Sequence, residues 1–187
     1  EVMKTLLISI LLFSFNSRSS DLEGKKKVEF YKKILKEYSS VKRHIVKDNI
    51  SKDPINNEIL EVFNAKNKRI GFVREIITTT GCNSACLPLI ATLFYNVNKQ
   101  FITLQSLVGL SKKNHVDFTR DDYQSLDLIL MQNPKEFKSI IHPKEMVDAI
   151  SSETLKSYSA FVIKEAAYTT LRMNLYNQDT LKLLELL

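Results

Sequence analysis

The sequence predicts an α+β fold in which two β-hairpins form an antiparallel sheet that packs against N- and C-terminal helices. Two observations predict this fold. Two pairs of apolar runs, rich in β-branched and aromatic residues, are each interrupted by a short polar turn. Segments with apolar residues at helical spacing stand before the first pair and after the second. Strands and helices do not alternate singly along the chain, so a parallel sheet is excluded.

The first helix is predicted over residues 25–47. Its apolar stripe consists of residues that recur at helical spacing: Val28, Tyr31, Ile34, Leu35, Tyr38 and Val41. The opposite face carries lysines: Lys26, Lys27, Lys33 and Lys36. We expect this helix to dock on the core through its apolar stripe and to keep its lysines in water, rather than to bind a membrane.

The sheet is predicted from two hairpins. The first has strands near Ile59–Phe63 and Arg69–Thr79, which flank the polar segment AKNK. The second lies in PLIATLFYNVNKQFITLQSL, where an Asn-rich turn at Asn96–Lys99 separates two apolar runs. Four antiparallel strands make a sheet with one face to cover. We expect the helices to cover that face.

Further helices are predicted after the second hairpin, and Pro143 in HPKEMVDAI suits the first turn of one of them. Thr119 is the expected N-cap of the first, because acidic residues follow it in the first turn and an apolar stripe begins after them. Pro134 marks the end of this helix. From Leu155 onward the chain is predicted to be mostly helical, with a break near Asn177.

The N-terminal segment has the organisation of a secretory signal. Lys4 precedes an apolar run of about ten residues, and small polar residues follow. A membrane-spanning helix needs about 20 apolar residues, so this run is too short. We expect residues 1–19 to be a signal peptide and the mature chain, residues 20–187, to be exported to the periplasm or the cell exterior. The mature chain is predicted to form a single domain, with an N-terminal helix within 20–55 and a core over 58–176.

The chain carries a net charge of +6, from 27 basic and 21 acidic residues. Loss of the signal segment leaves 25 basic and 20 acidic residues, a net charge of +5. Much of the excess is lysine, whereas nucleic-acid-binding proteins more often concentrate Arg and Lys on one face. We therefore expect no nucleic-acid partner. A membrane surface or an anionic ligand is an equally physical partner for the positive charge.

The chain has two cysteines, Cys82 and Cys86, in TTTGCNSACLP. In an exported chain the leading interpretation is a structural disulfide, followed by a redox-active dithiol. A metal site comes last, because the three histidines complete no standard spacing with the cysteines. Small residues around Thr80 and Gly81 let backbone N–H groups approach an anion closely, and a tight turn without a ligand has the same composition.

The segment VDAISSET, residues 147–154, places an acidic and three hydroxyl residues at fixed spacing: Asp148, Ser151, Ser152 and Thr154. It resembles the motif of FMN-binding domains in exported or membrane-associated electron-transfer proteins, such as the flavin-carrying subunits of sodium-pumping quinone reductases and of Rnf complexes. That motif is Asp, two variable residues, Ser or Thr, Gly, Ala, then Thr or Ser. Two positions depart from it: Ser152 replaces the usual Gly, and Glu153 replaces the usual Ala.

The resemblance covers about residues 58–175, because in that family a β-hairpin sheet precedes the motif and a helix follows it. It implies an electron carrier whose FMN is held at Thr154, through a phosphoester installed by a flavin transferase in the covalent members. It implies that Ser151 and Ser152 solvate the phosphate and that Asp148 orients the motif. The implied partner is a redox protein or a membrane electron-transport complex.

Three functional hypotheses stay open. In the first, an FMN-binding electron carrier has Thr80 and Gly81 as further contacts to the cofactor, with the two cysteines near the ring or rigidifying the segment that faces it. In the second, an exported thiol–disulfide redox protein uses Cys82 and Cys86 without flavin. In the third, a binding module has kept the fold and lost the cofactor, which Glu153 favours. The run Ser-Ser-Glu-Thr is also an ordinary helix start. An electron carrier is favoured over a hydrolase or a transferase.

Overall fold

The computed structural model describes residues 24–48, 50, 54–78, 89–108, 119–133, 135 and 160–187. Within them the architecture is α+β, as predicted, with a five-stranded antiparallel sheet and with helices at the N- and C-terminal ends. The chain divides into two compact units, and the boundary lies between Tyr38 and Ser39. The first unit contains helix α1. The second contains the sheet and helices α2 and α3.

Helix α1 covers residues 24–34. Phe30 and Tyr31 in the helix and Leu35 directly after it are the buried apolar side chains here, and Leu35 follows them by five and four positions, which puts the three on one side. The ring centroid of Tyr31 lies 5.9 Å from that of Phe30 and 5.7 Å from that of Tyr38. The amide of Tyr38 donates to the carbonyl of Leu35 at 2.9 Å, in the turn that follows the helix.

The prediction that this helix continues to Lys47 is wrong. Ser40–Ile45 form strand β1, which pairs antiparallel with strand β2, Glu58–Phe63. The sequence SVKRHI fits both structures, because Val41 and Ile45 share a helix face and also one side of a strand. The backbone hydrogen bonds to β2 decide between them, since pairing in the folded protein overrides a weak local preference.

The remaining strands are β3, Arg69–Thr78, β4, Leu89–Asn96, and β5, Phe101–Val108. Their spatial order is the chain order, β1-β2-β3-β4-β5, and every neighbouring pair is antiparallel. The two predicted hairpins are confirmed as β2–β3 and β4–β5. Strand β1 extends the sheet beyond the four strands that the sequence predicted.

Both hairpin turns are held by an asparagine at the start of the turn. The side-chain oxygen of Asn64 accepts from the backbone amides two and four positions later, at 3.1 and 3.0 Å. The side-chain oxygen of Asn96 does the same at 2.9 and 3.0 Å. Asn67, with φ 56°, and Lys99, with φ 65°, take the left-handed conformation in the two turns. Asn adopts that conformation at lower cost than Lys.

The core lies between one face of the sheet and helices α2 and α3. It consists of buried apolar residues from strands and helices: Ile59, Phe72, Ile76, Ala91, Leu93, Tyr95, Leu104, Leu126, Leu130, Met173, Tyr176 and Leu184. The central strands are also buried on their other face, because residues 72–74 and 93–95 are buried without interruption and successive side chains point to opposite faces. The expectation of a sheet with only one face to cover is therefore wrong for β3 and β4.

Helix α2, Arg120–Met131, begins at the predicted cap. The hydroxyl of Thr119 accepts from the amide of Asp122 at 3.2 Å, and the carboxylate of Asp122 accepts from the amide of Thr119 at 2.7 Å. This reciprocal pair is a capping box, which satisfies two amides that the helix itself cannot bond.

Helix α2 also covers the edge of the sheet at β5. The amide of Leu104 donates to Oδ1 of Asp127 at 2.7 Å, and the amide of Ser106 donates to the hydroxyl of Tyr123 at 3.3 Å. Tyr123 and Asp127 are four positions apart and so lie on one side of the helix. Two outward amides of the edge strand thereby gain partners, which protects the edge from pairing with another strand.

Helix α3, Ala160–Glu185, is continuous, so the predicted break near Asn177 is wrong. Asn177 is buried, its side-chain oxygen accepts from the hydroxyl of Tyr95 at 2.8 Å, and its side-chain nitrogen donates to the carbonyl of Leu130 at 2.9 Å. A polar residue inside an apolar helical stripe resembles a breaker in sequence. Here it stays in the helix because both of its polar atoms are bonded.

Candidate functional site

The predicted cofactor contacts and the cysteines lie outside the described residues. This holds for the motif residues Asp148, Ser151, Ser152 and Thr154, and for Thr80, Gly81, Cys82 and Cys86. The flavin site and the disulfide therefore stay predictions. The described strands and helices that lead into these segments can nevertheless be placed.

Strand β3 ends and strand β4 begins at the same end of the sheet, and the cysteines lie between them in the sequence. Thr78, the last residue of β3, pairs with Leu89, the first residue of β4. At the same end Ile90 pairs with Val108, the last residue of β5. Residues 79–88 are thus bounded by neighbouring strand ends, as in a hairpin connection.

The first turn of α2 lies beside this end of the sheet. Tyr123 in that turn accepts a hydrogen bond from the amide of Ser106, two residues before the end of β5. Asp127, one turn later, is bonded to Leu104, so α2 runs antiparallel to β5. The N-terminal end of α2, the last residues of β3 and β5 and the first residues of β4 therefore lie at the same end of the sheet.

The most extensive polar cluster in the described residues lies between β3 and α3, and its centre is the fully buried Arg74. One guanidinium nitrogen donates to Oδ2 of Asp179 and to Oγ1 of Thr180, both at 2.9 Å. Nε and the other terminal nitrogen donate to the carbonyl of Asn56 at 3.2 and 2.9 Å. The guanidinium carbon lies 5.2 Å from the ring centroid of Tyr176, within the range of a cation–π contact.

The hydroxyl of Tyr176 links this arginine cluster to a buried carboxylate. It donates to Oδ2 of Asp48 at 2.7 Å and accepts from the side-chain nitrogen of Asn56 at 2.7 Å. The other Asp48 oxygen accepts from the amide of Ile50 at 2.8 Å, and the Asn56 oxygen accepts from the amide of Ile77 at 2.7 Å. The segment after β1, the 3-10 turn Pro54–Asn57, strand β3 and helix α3 are fastened together by one network.

This network has the properties of a structural clamp. Buried charges are tolerated when they are paired and when hydrogen bonds satisfy their remaining atoms, and Arg74 meets both conditions. The neighbouring Tyr95 is fully buried, and burial raises the pKa of its hydroxyl above the ordinary value, so that it stays a neutral hydrogen-bond donor. The arrangement fixes α3 on the sheet.

A second ionic cluster, at the β1 side of the sheet, is partly open to solvent. Oε2 of Glu61 lies 2.8 Å from Nε2 of His44, and Oε1 accepts from Arg69 at 3.0 Å. Burial raises the pKa of Glu61, but the hydrogen bonds and positive charges of His44 and Arg69 outweigh burial and lower the pKa. A carboxylate whose pKa is lowered by hydrogen bonds from a histidine and an arginine is a poor general base. The cluster therefore locks β1 to β2 and β3.

The pKa of Asp127 is raised, whereas that of Glu61 is lowered. Burial raises its pKa, and the hydrogen bonds from the amide of Leu104 and the hydroxyl of Thr103 offset this only in part. Its role at the edge of β5 is structural, because both oxygens are engaged by the strand.

Metal binding has no support among the described residues. No three His, Cys, Asp or Glu side chains come together there in a metal-binding cluster. His44, the one described histidine, is bonded to Glu61. In that same part of the chain, none of the helices has both the length and the apolar character needed to cross a bilayer.

Comparisons of the chain with protein-family models, with curated proteins and with solved structures return no match.

The clamp was not predicted from the sequence, although the sequence contains two signals for it. Arg74 is a charged residue inside the apolar strand FVREII, a position that requires a buried partner. Tyr176, Asn177 and Thr180 place polar atoms on the buried side of α3. Neither signal identifies which residues pair with each other, because Arg74 and its partners in α3 are far apart in the chain.

Proposed function

We propose that the protein is an exported electron carrier that binds FMN, with Thr154 holding or contacting the flavin phosphate. One observation carries the proposal: the spacing Asp148-x-x-Ser151-Ser152-x-Thr154 between the second hairpin and the C-terminal helix. In this proposal FMN supplies the redox chemistry, and the protein supplies position and electrostatics.

The order of elements supports the proposal. The two hairpins precede the motif, and α3 follows it, in the order that the resemblance implies. Thr154 stands six positions before Ala160, the first residue of α3. Small hydroxyl residues at this place suit a phosphate, because serine and threonine hydroxyls and neighbouring backbone amides donate hydrogen bonds to its oxygens.

The clamp gives the proposal a mechanical basis. Arg74, Asp179 and Tyr176 fix the C-terminal half of α3 on the sheet. In this proposal a fixed α3 would restrict the motif, which ends six positions before it in the chain, and electron transfer requires a cofactor in a constant position. In this proposal Ser151 and Ser152 solvate the phosphate, and Asp148 orients the motif.

The residues of the β3–β4 connection have secondary roles in the proposal. Thr80 and Gly81 follow the last residue of β3 by two and three positions and would offer backbone amides to the cofactor. Cys82 and Cys86 would lie near the flavin ring or stiffen the segment that faces it. The partner is a redox protein or a membrane electron-transport complex that accepts or supplies the electrons.

The test is co-expression with a flavin transferase, followed by intact-mass and absorbance measurements. We expect yellow protein with an FMN adduct, and we expect Thr154→Val to lose the adduct. Ser157→Ala, which removes a nearby hydroxyl outside the motif, is the matched control and keeps it. Colourless protein of unmodified mass contradicts covalent attachment. An adduct that persists in Thr154→Val places the attachment elsewhere.

A second candidate is a thiol–disulfide redox protein, which is favoured by the location of both cysteines in one connection between neighbouring strand ends. Its test is the reduction potential of the Cys82–Cys86 pair in the purified protein. A potential near that of thiol–disulfide oxidoreductases supports it. A potential below about −300 mV marks a structural bridge and removes it.

A further inference from the structure

The positive charge of the chain is concentrated in one short region. Residues 24–38, the described part of the first unit, contain six basic and two acidic side chains, a net charge of +4. The whole chain has 27 basic and 21 acidic residues, so the other 172 residues hold 21 basic and 19 acidic residues, a net charge of only +2. An asymmetry of this kind marks a segment that meets an anionic partner more often than a uniformly solvated surface does.

Helix α1 places its share of this charge on one side. Lys25, Lys26, Lys32 and Lys33 are exposed, and so is Lys36 in the following turn. At 100° per residue the four helical lysines fall within an arc of about 120°. Glu29 is the acidic residue within that arc. We call this side of α1 the lysine face.

The apolar side of α1 is already occupied. Phe30, Tyr31 and Leu35 are 7%, 3% and 6% exposed. Amphipathic helices that insert into bilayers bury an apolar face in the boundary between headgroups and acyl chains. Helix α1 has no such face to offer, so its attraction to a membrane is electrostatic and leaves the helix on the headgroups.

We propose that the lysine face adsorbs to the surface of an anionic phospholipid bilayer without insertion. The residue type favours this partner, because residues 24–38 contain six lysines and no arginine. Arginine suits fixed, bidentate recognition of phosphate in nucleic acids, whereas lysine acts as a mobile point charge. A continuous layer of lipid phosphates requires no fixed geometry, and a convex helix face can lie on it. The proposal concerns the first unit alone and does not depend on flavin binding.

The experiment is co-sedimentation of the mature chain, residues 20–187, with vesicles of phosphatidylcholine, with and without phosphatidylglycerol. We expect binding to the anionic vesicles only, and loss of binding in about 1 M NaCl, where the Debye length is about 3 Å. Each lysine near a membrane surface contributes about a fivefold change in partitioning. The triple substitution Lys25→Gln, Lys32→Gln and Lys33→Gln is therefore expected to weaken binding roughly 100-fold.

Two matched variants make the result specific. The triple substitution Lys66→Gln, Lys68→Gln and Lys182→Gln removes the same charge from exposed positions in the other unit, and we expect less than about a fivefold loss. The triple substitution to arginine at 25, 32 and 33 keeps binding. Circular dichroism checks that each variant is folded.

Several results overturn the proposal. Equal losses in both glutamine variants show that total charge, and not the lysine face, drives binding. Binding to neutral vesicles, or binding that persists in high salt, shows that apolar insertion carries it. Tighter binding to duplex DNA than to anionic vesicles at the same salt identifies a nucleic acid as partner. Full competition by inorganic phosphate identifies a site for a free anion.

Discussion

The guanidinium of Arg74 in β3 donates to the carboxylate of Asp179 in α3 at 2.9 Å, across 105 positions of the chain. Arg74 is fully buried, and Asp179 is 22% exposed. The pair joins strand β3, in the middle of the sheet, to the helix that follows residues 147–154 in the chain.

Replacement of Arg74 by Met tests the clamp. The substitution leaves the Asn56 carbonyl and the Thr180 hydroxyl without their donor and leaves Asp179 without its counter-charge. Removal of one partner of a buried pair costs about 3–5 kcal/mol, so we expect a loss of that size in the free energy of unfolding, measured with denaturant. Arg43→Met is the control, because Arg43 is 69% exposed and lies 3.7 Å from Glu58. That change is expected to cost less than about 1 kcal/mol. Similar losses in both variants contradict the clamp.

The lowered pKa of Glu61 leads us to expect that its contribution to the free energy of unfolding is lost in acid. Its folded-state pKa is lowered from 4.5, so its contribution is fully present above the unfolded-state pKa and disappears as the pH falls through the folded-state pKa. In Glu61→Gln we expect lower stability than wild type at neutral pH, and a difference that shrinks below about pH 4.5. Denaturant unfolding of both proteins between neutral and acid pH measures it. A difference independent of pH excludes the ionic contribution.

The raised pKa of Asp127 leads us to expect the opposite dependence of stability on pH. Its folded-state pKa is raised from 3.8, so folding is favoured by the protonated form, and this contribution is lost as the pH rises from 3.8 through the folded-state pKa. Wild type is therefore expected to lose stability relative to Asp127→Asn as the pH rises through this interval. The same series of unfolding measurements checks the sign. A wild type that gains stability relative to the variant over this interval contradicts the burial argument.

Comparison of the two hairpin turns suggests that Lys99→Asn stabilises the protein. Lys99 and Asn67 occupy equivalent left-handed positions, with φ 65° and 56°. Asn tolerates this conformation better than Lys, so Lys99→Asn is expected to raise the free energy of unfolding by about 0.5–1 kcal/mol. The reciprocal change, Asn67→Lys, is expected to lower it by a similar amount. An unchanged midpoint in both variants shows that the turns tolerate either residue.

Under the proposed function, replacement of Glu153 is expected to increase flavin binding. Its carboxylate stands beside Thr154 in the sequence and would repel a phosphate there. Under the proposed function, Glu153→Ala restores the usual residue of the motif and raises the fraction of flavin-bearing protein, measured by the ratio of flavin to protein absorbance. Glu145→Ala removes the same charge nine positions before Thr154 and serves as the control. Equal occupancy in Glu153→Ala and wild type removes Glu153 as a determinant of flavin binding.

The parts of the fold that local chemistry determines could be predicted from the sequence. Asn64 and Asn96 fix the hairpin turns through bonds to amides two and four positions away, and Thr119 forms its capping box within three residues. Strand β1 could not be predicted, because the pattern of Ser40–Ile45 is ambiguous until β2 is beside it. Asn177 was misread for a related reason, since its partners Tyr95 and Leu130 belong to other elements.

For the candidate site too, local features are visible in the sequence and contacts between distant residues are not. The resemblance around Thr154, which stays a prediction, is carried by nearby residues and so is visible in the sequence. The clamp that fixes α3 is not visible there, because Arg74, Asn56 and Asp179 meet only in the folded protein.

The intact mass of the protein purified from its native host tests the central claim most directly. We predict a chain that has lost its signal segment and carries one FMN joined by a phosphoester at Thr154, with peptide mapping locating the adduct. The same spectrum, compared before and after reduction, reports whether Cys82 and Cys86 form a disulfide. An unmodified mass, in protein that also releases no flavin on denaturation, contradicts the flavin-carrier account.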